Sequence, residues 1–220
     1  AYDGRGKNIR DFTNYDDRQA KKILGRSLLN SELGCYLSHY GCVEKFLQTD
    51  ADYLVVLEDD LRIDNNFSST LQEILHYLHS QKNIEWSLIN IAAKKNKISR
   101  EIFRTHDYSL VRAYYFPIRG VGLVWSRQGA HDFLKMAQNP CLPVDIFFQN
   151  WLIKNGKGLS IWPPLVRPAG LDSDILGTVA TERVRRKQKE NRDFSFFMKK
   201  QLRLLKNNIL AYINFLSFKS

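Results

Sequence analysis

No run of 18 or more apolar residues occurs in this 220-residue chain, so no segment is patterned to cross a bilayer as a helix. The amino end, Ala1-Tyr2-Asp3-Gly4-Arg5, lacks the apolar stretch of a secretory signal, which leads us to expect a cytoplasmic protein. Cysteine is scarce: there are three, an odd number. Cys35 and Cys42 fall seven residues apart in one predicted helix, about 10 Å along its axis, too far for a bridge. Reduced, buried thiols are expected, and no spacing among them marks a zinc site. Internal repeats and low-complexity segments are also missing, and the length suits one domain with a tail.

Most of the chain lacks an excess of either charge. The formal net charge is +10, but residues 183–220 hold 11 Lys/Arg against Glu190 and Asp193, leaving 22 basic and 21 acidic side chains on residues 1–182. An enzyme acting on nucleic acid spreads positive charge around an acidic site, so no nucleic-acid partner is expected. We therefore divide the chain into a domain over 1–180 and a basic tail over 181–220.

What is present alternates between strand and helix patterns. Residues 1–27 are polar and turn-rich, with little to offer a core. Asn30 or Ser31 can cap a helix running to about Gln48, with Glu32 in its favourable first turn. A strand over 53–58 follows, then a helix over about 67–80 carrying Leu71, Ile74, Leu75 and Leu78 at helical spacing. Strands are predicted at Trp86 to Ile91, Leu110 to Phe116, Val121 to Trp125 and Leu159 to Trp162. Helices are predicted around Gly129-Ala130 and after Pro143-Val144-Asp145. This alternation predicts an α/β domain with a mostly parallel central sheet.

Leu54-Val55-Val56-Leu57-Glu58-Asp59-Asp60 is the most informative stretch. Three carboxylates clustered at the end of an apolar strand repel one another, and a cation or a set of donors compensates such a cluster. The bland alternative is a solvated turn. In open α/β sheets ligands sit beyond the carboxyl ends of strands, where these acids lie. If the strand continued, Glu58 and Asp60 would point to the same side, about 6.5–7 Å apart.

The tail carries the second signal. Phe194, Met198, Leu202, Leu205, Ile209, Tyr212, Ile213 and Leu216 form one helical stripe, flanked by Lys199, Lys200, Arg203 and Lys206. The pattern suits a helix at residues 190–220 lying on an anionic membrane surface. The alternative is a stripe packed on the domain or on a second copy of the chain.

Four motifs in order, Glu32-Leu33-Gly34-Cys35-Tyr36-Leu37-Ser38-His39, Leu57-Glu58-Asp59-Asp60-Leu61, Gly122 to Ala130 and Pro143-Val144-Asp145, resemble glycosyltransferase family 25. That family includes bacterial lipooligosaccharide galactosyltransferases and animal collagen galactosyltransferases, and the resemblance covers about residues 1–175. It implies a GT-A-like fold, a UDP-sugar donor, most often UDP-galactose, a divalent cation (Mn2+ or Mg2+) and inversion at the anomeric carbon. It further implies Asp60 as a metal ligand. Glu58 would hold the metal, through a water or directly, or the donor ribose, and Asp59 would bind the donor. Asp145 is the candidate catalytic base, its alternative role being to cap its helix. His39, Gly122 and Asp174 in Ser173-Asp174-Ile175 are candidate donor-binding residues. Asp172 competes with Asp174, His39 has a structural alternative, and Gly122 can instead permit a bend.

The chain departs from the family pattern in two places. Leu123 stands where an aromatic residue often follows the glycine, and the family's opening strand has no counterpart near Ala1-Tyr2-Asp3-Gly4. The second departure leads us to expect poor donor binding by this chain alone. The implied acceptor is a lipid-linked oligosaccharide at the inner face of a bacterial cytoplasmic membrane. Another UDP-hexose or UDP-N-acetylhexosamine transferase, or a non-catalytic membrane-associated scaffold, are the alternatives. A haloacid-dehalogenase-type phosphatase is excluded because Glu58-Asp59-Asp60-Leu61-Arg62 lacks its Asp-x-Asp-x-Thr/Val signature.

Overall fold

The computed structural model describes Tyr2, Phe12, residues 14–169 and 194–217. In chain order the elements are α1 (Asp17–Leu24), α2 (Asn30–Leu47), β1 (Tyr53–Leu57), β2 (Leu61–Ile63), α3 (Phe67–Ser80), β3 (Leu88–Asn90) and β4 (Ser99–Thr105). There follow β5 (Tyr108–Ala113), β6 (Gly122–Ser126), α4 (Arg127–Met136), α5 (Val144–Asn155), β7 (Gly158–Trp162), β8 (Val166–Pro168) and α6 (Phe194–Ser217).

The α/β expectation holds, but the mostly parallel sheet does not. Six strands pair in the order β1-β6-β3-β7-β5-β4, and β3 with β7 is the one parallel pair among them. The cause lies in the connections. β4 and β5 are joined by a tight turn at His106, whose φ is 47°, and such a turn returns the chain antiparallel. β5 and β6 are likewise linked without a helix, and β6 inserts antiparallel between β1 and β3. Counting strands and helices along a sequence cannot detect such an insertion.

Alternation along the central strands divides the core into two layers. Leu88, Leu123 and Trp125 face a layer with Tyr36, Val43, Phe46, Phe133, Phe148 and Trp151, contributed by α2, α4 and α5. Ile89, Val124, Leu159 and Ile161 face the opposite layer, closed by Leu71, Ile74 and Leu78 of α3. The sheet is thus covered on both sides, and β1 sits at its edge.

Four local expectations change. Residues 1–27 do contribute a helix: α1 is capped by the Asp16 side chain, which accepts the Gln19 N–H at 2.9 Å, and it buries Ala20 and Leu24. α2 begins after Leu29, whose N–H donates to Glu32 Oε2 at 2.8 Å, so Glu32 satisfies the helix start in place of Asn30 or Ser31. β4 is an additional strand, half-exposed on the far edge, with too little apolar alternation to announce itself. β2 and β8 are further additions, a short antiparallel pair beside the main sheet.

α6 docks on the fold by a face other than its apolar stripe. Ala211 and Asn207 are buried, Asn207 Nδ2 donates to Asn150 Oδ1 at 3.0 Å, and Asn214 Nδ2 donates to the Ile153 carbonyl at 2.7 Å. Phe196 lies over Gly25, whose φ of 68° ends α1, and a Cβ there would meet the ring at 2.4 Å. Arg203 is drawn inward beside Tyr115 and does not flank the stripe as expected. Leu202, Leu205, Ile209, Ile213 and Leu216 are each at least half exposed.

Candidate active site

β1 delivers Glu58 by register. Leu54 and Val56 pack on the α2 side of the sheet, and the alternation carries the next residue but one, Glu58, to the same side. The strand stops at Leu57, where the Glu58 N–H still donates to the Val121 carbonyl at 3.0 Å. The chain then bends at Asp59 and Asp60, so the continuous strand assumed for Glu58 and Asp60 is not formed. The bend is held because the Asp60 carbonyl accepts the Ala169 N–H at 2.7 Å and β2 pairs at once with β8.

α2 supplies the opposite wall. Glu32, Cys35 and His39 recur at three- and four-residue spacing and share a face. Cys35 Sγ, a ring nitrogen of His39 and a Glu58 carboxylate oxygen all lie within 4.8 Å of one another. His39 is only 4% exposed, stands edge-on to Phe148 with centroids 5.7 Å apart, and has an Nδ1 without a hydrogen-bond partner. Burial holds its pKa down at about 4, so the ring is neutral.

Asp145 arrives from a third element, the first turn of α5, where its Oδ1 accepts the Ile146 N–H at 2.7 Å. Its pKa is raised by burial and then by Glu32, despite that hydrogen bond. Glu32 is itself held by Arg26, with N···O of 2.7 Å on both forks of the guanidinium. The negative charges converge on Glu58, whose carboxyl is pushed up to about 7 by burial first and then by Asp60, Asp59 and Asp145. Burial first, and then Glu58, Asp145 and Glu32, push the Cys35 thiol up to about 12.

This arrangement has a consequence for stability. A proton is held more tightly by folded Glu58 than by the unfolded chain, so its favourable contribution is full below pH 4.5 and is lost as pH rises through about 7. In metal-free protein, Glu58→Gln is expected to raise Tm by about 2–4 °C at pH 8 and by little at pH 4.5. This corresponds to about 1 kcal/mol after allowance for the half-exposed position. Calorimetry showing the same shift at both pH values would contradict it.

The other predicted residues are less tightly grouped. Asp59 is exposed and Asp60 half-buried beside Glu58. Gly122 pairs with Leu57, and a Cβ on it would collide with Val166 at 2.4 Å and meet Ile91 at 3.0 Å, so its close approach is to apolar side chains. Gly120 is the glycine facing the cluster, with its Cβ position 3.8 Å from His39 Nε2. Asp174 and Asp172 lie outside the described residues. Cys35 was missed as a site residue, although the Cys35-x3-His39 spacing, which puts both on one helix face, was there to be read.

Residues 1–148 match the family model described as "Glycosyltransferase family 25 (LPS biosynthesis protein)". The chain is similar to procollagen galactosyltransferase 1 of Danio rerio, 36% identical over 127 residues that cover 56% of this chain and 20% of that protein. It is similar to procollagen galactosyltransferase 2 of Homo sapiens, 31% identical over 144 residues covering 64% and 22%. A probable inactive glycosyltransferase 25 family member 3 of Bos taurus is 33% identical over 126 residues covering 56% and 20%. The chain spans about a fifth of the length of these relatives.

Proposed function

Because the chain belongs to glycosyltransferase family 25, we propose that it transfers a hexose, galactose from UDP-galactose, to a saccharide hydroxyl with inversion at the anomeric carbon. The observation that carries this reading is the convergence of Glu58-Asp59-Asp60, Asp145 and the Cys35/His39 face of α2 from three separate elements. Galactose is favoured because two of the similar proteins are named galactosyltransferases. We read the helix-covered sheet with acids at the end of β1 as GT-A-like.

The donor set fits a hard divalent cation. Oxygen ligands without a compensating partner are what Mn2+ or Mg2+ takes, and among the described residues no side chain hydrogen-bonds or ion-pairs with the Glu58 carboxylate. Asp60 and Glu58 would hold the ion, and when bound it would offset the charge developing on the departing diphosphate. Asp59, exposed at the bend, would bind the hydroxyls of the donor. Asp145 removes the proton from the attacking acceptor hydroxyl, and its raised pKa brings it closer to neutral pH, where a base is most effective. Neutral His39 forms the buried floor against Phe148 and leaves the negative charge of the site uncancelled.

A screen of UDP-galactose, UDP-glucose and UDP-N-acetylhexosamines, each with Mn2+ or Mg2+, tests the reading. Metal-dependent release of UDP from UDP-galactose above the others supports it. No release from any donor favours a non-catalytic protein, as the name of the bovine relative suggests for that protein.

The acceptor we favour is lipid-linked, a lipooligosaccharide-type saccharide at the inner face of a cytoplasmic membrane. The support is α6, whose outward stripe of Leu202, Leu205, Ile209 and Leu216 runs beside exposed Lys199, Lys200 and Lys206. Deleting the helix would uncover Tyr114 and Ile153, so substitution is the cleaner probe. Leu202→Glu with Ile209→Glu is expected to weaken binding to anionic vesicles at least tenfold, by about 1 kcal/mol or more per residue, while sparing transfer to a soluble acceptor. Unchanged vesicle partitioning would remove the membrane from the proposal.

A further inference from the structure

Cys35 and His39 lie one helical turn apart on α2, and Glu58 comes to them across the edge of the sheet. Their donor atoms, one sulfur, one ring nitrogen and one carboxylate oxygen, fall within 4.8 Å of one another. His39 is 4% exposed with an orphaned Nδ1, and a buried polar atom without a partner carries a desolvation penalty that a ligand would remove. Cys35 and Glu58 are half-buried, so the cluster opens toward solvent on one side.

We infer that Cys35, His39 and Glu58 form a binding site for a borderline-soft divalent cation of the zinc class. Sulfur and imidazole donors select such a cation over Mg2+ or Mn2+, which prefer oxygen alone. Bond lengths of about 2.3 Å to sulfur and about 2.0–2.2 Å to nitrogen and oxygen put tetrahedral donors about 3.3–3.7 Å apart. From separations of 4.8 Å or less, no pair of donor atoms need close by more than about 1.5 Å to reach that geometry. Three protein ligands leave the fourth position to water. Cys42 is two helical turns from Cys35, about 10 Å away, and cannot share the ion.

The site shares Glu58 with the hard cation of the transferase reading but stands without that reading. A thiophilic ion would hold Glu58 with Cys35 and His39, whereas a hard cation would hold it with Asp60. The two ions therefore compete for one carboxylate.

Cobalt titration of the full reduced chain, without sugar nucleotide, tests the inference. One Co2+ per chain is expected, with a thiolate-to-cobalt charge-transfer band in the near ultraviolet that stoichiometric Zn2+ abolishes. Cys35→Ser should abolish the band, and Cys42→Ser and Cys141→Ser should retain it. His39→Gln should weaken Co2+ binding about 10–100-fold. A wild-type chain without the band overturns the proposal, and this measurement needs no variant to fold. A band that survives Cys35→Ser, with circular dichroism unchanged, overturns it equally. Failure of the donor screen leaves this result untouched.

Discussion

Asp145→Asn is expected to lower kcat by about 10²–10⁴-fold, the range over which a positioned acid or base contributes to a proton transfer. The substitution keeps a side-chain oxygen where Asp145 Oδ1 accepts the Ile146 N–H, so the helix start is preserved while the proton acceptor is removed. Near-normal thermal stability with a large kcat loss and little change in KM separates catalysis from helix capping, the two roles open for this residue. The pH profile supplies a second readout. A base works only when ionised, and burial together with Glu32 raises the pKa of Asp145, so kcat/KM should climb with pH through a value above the ordinary aspartate range. That limb should vanish in Asp145→Asn. If it vanishes instead in Glu58→Gln, the base is Glu58.

Asp60→Asn should lower turnover of UDP-galactose by about 10²–10³-fold and flatten its dependence on Mn2+ concentration, as expected when a group that stabilises leaving-group charge is lost. Asp60 suits this role because its backbone is anchored: its carbonyl holds the Ala169 N–H, and the β2–β8 ladder begins at the next residue. The anchor holds the backbone at Asp60 and does not use its carboxylate. The substitution also removes the largest neighbouring charge acting on Glu58, whose carboxyl should then titrate below its raised value of about 7. Exposed Asp59 serves as the comparison, since Asp59→Asn should raise KM for the donor more than it lowers kcat. Metal dependence that persists unchanged in Asp60→Asn would move the ion to other ligands.

Much of this was legible in the chain. The family followed from four short motifs in order, and the match over residues 1–148 bears out that resemblance. α3 was readable from the helical spacing of Leu71, Ile74, Leu75 and Leu78, and α2 and α5 from their start signals, Glu32 in the first turn of one and Pro143-Val144-Asp145 in the other. β4 was not, because its residues alternate weakly and pair at an edge. α1 was hidden because only Ala20 and Leu24 of its eight residues are buried. The glycine of the third motif was readable as a close-approach position, but what approaches Gly122 is Val166, from a strand 44 residues later.

The sequence alone therefore determined the helices with clear spacing or start signals, the acidic end of β1 and the family. These depend on neighbours within a turn or a strand length, and the information is written locally. The tertiary structure alone decided that the sheet is mostly antiparallel, that Cys35 and His39 face Glu58, and that α6 docks through Asn207 and Ala211 with its apolar stripe outward. Each of those outcomes is set by packing between residues far apart in the chain. Periodicity says which face of an element is apolar but not which distant surface will cover it.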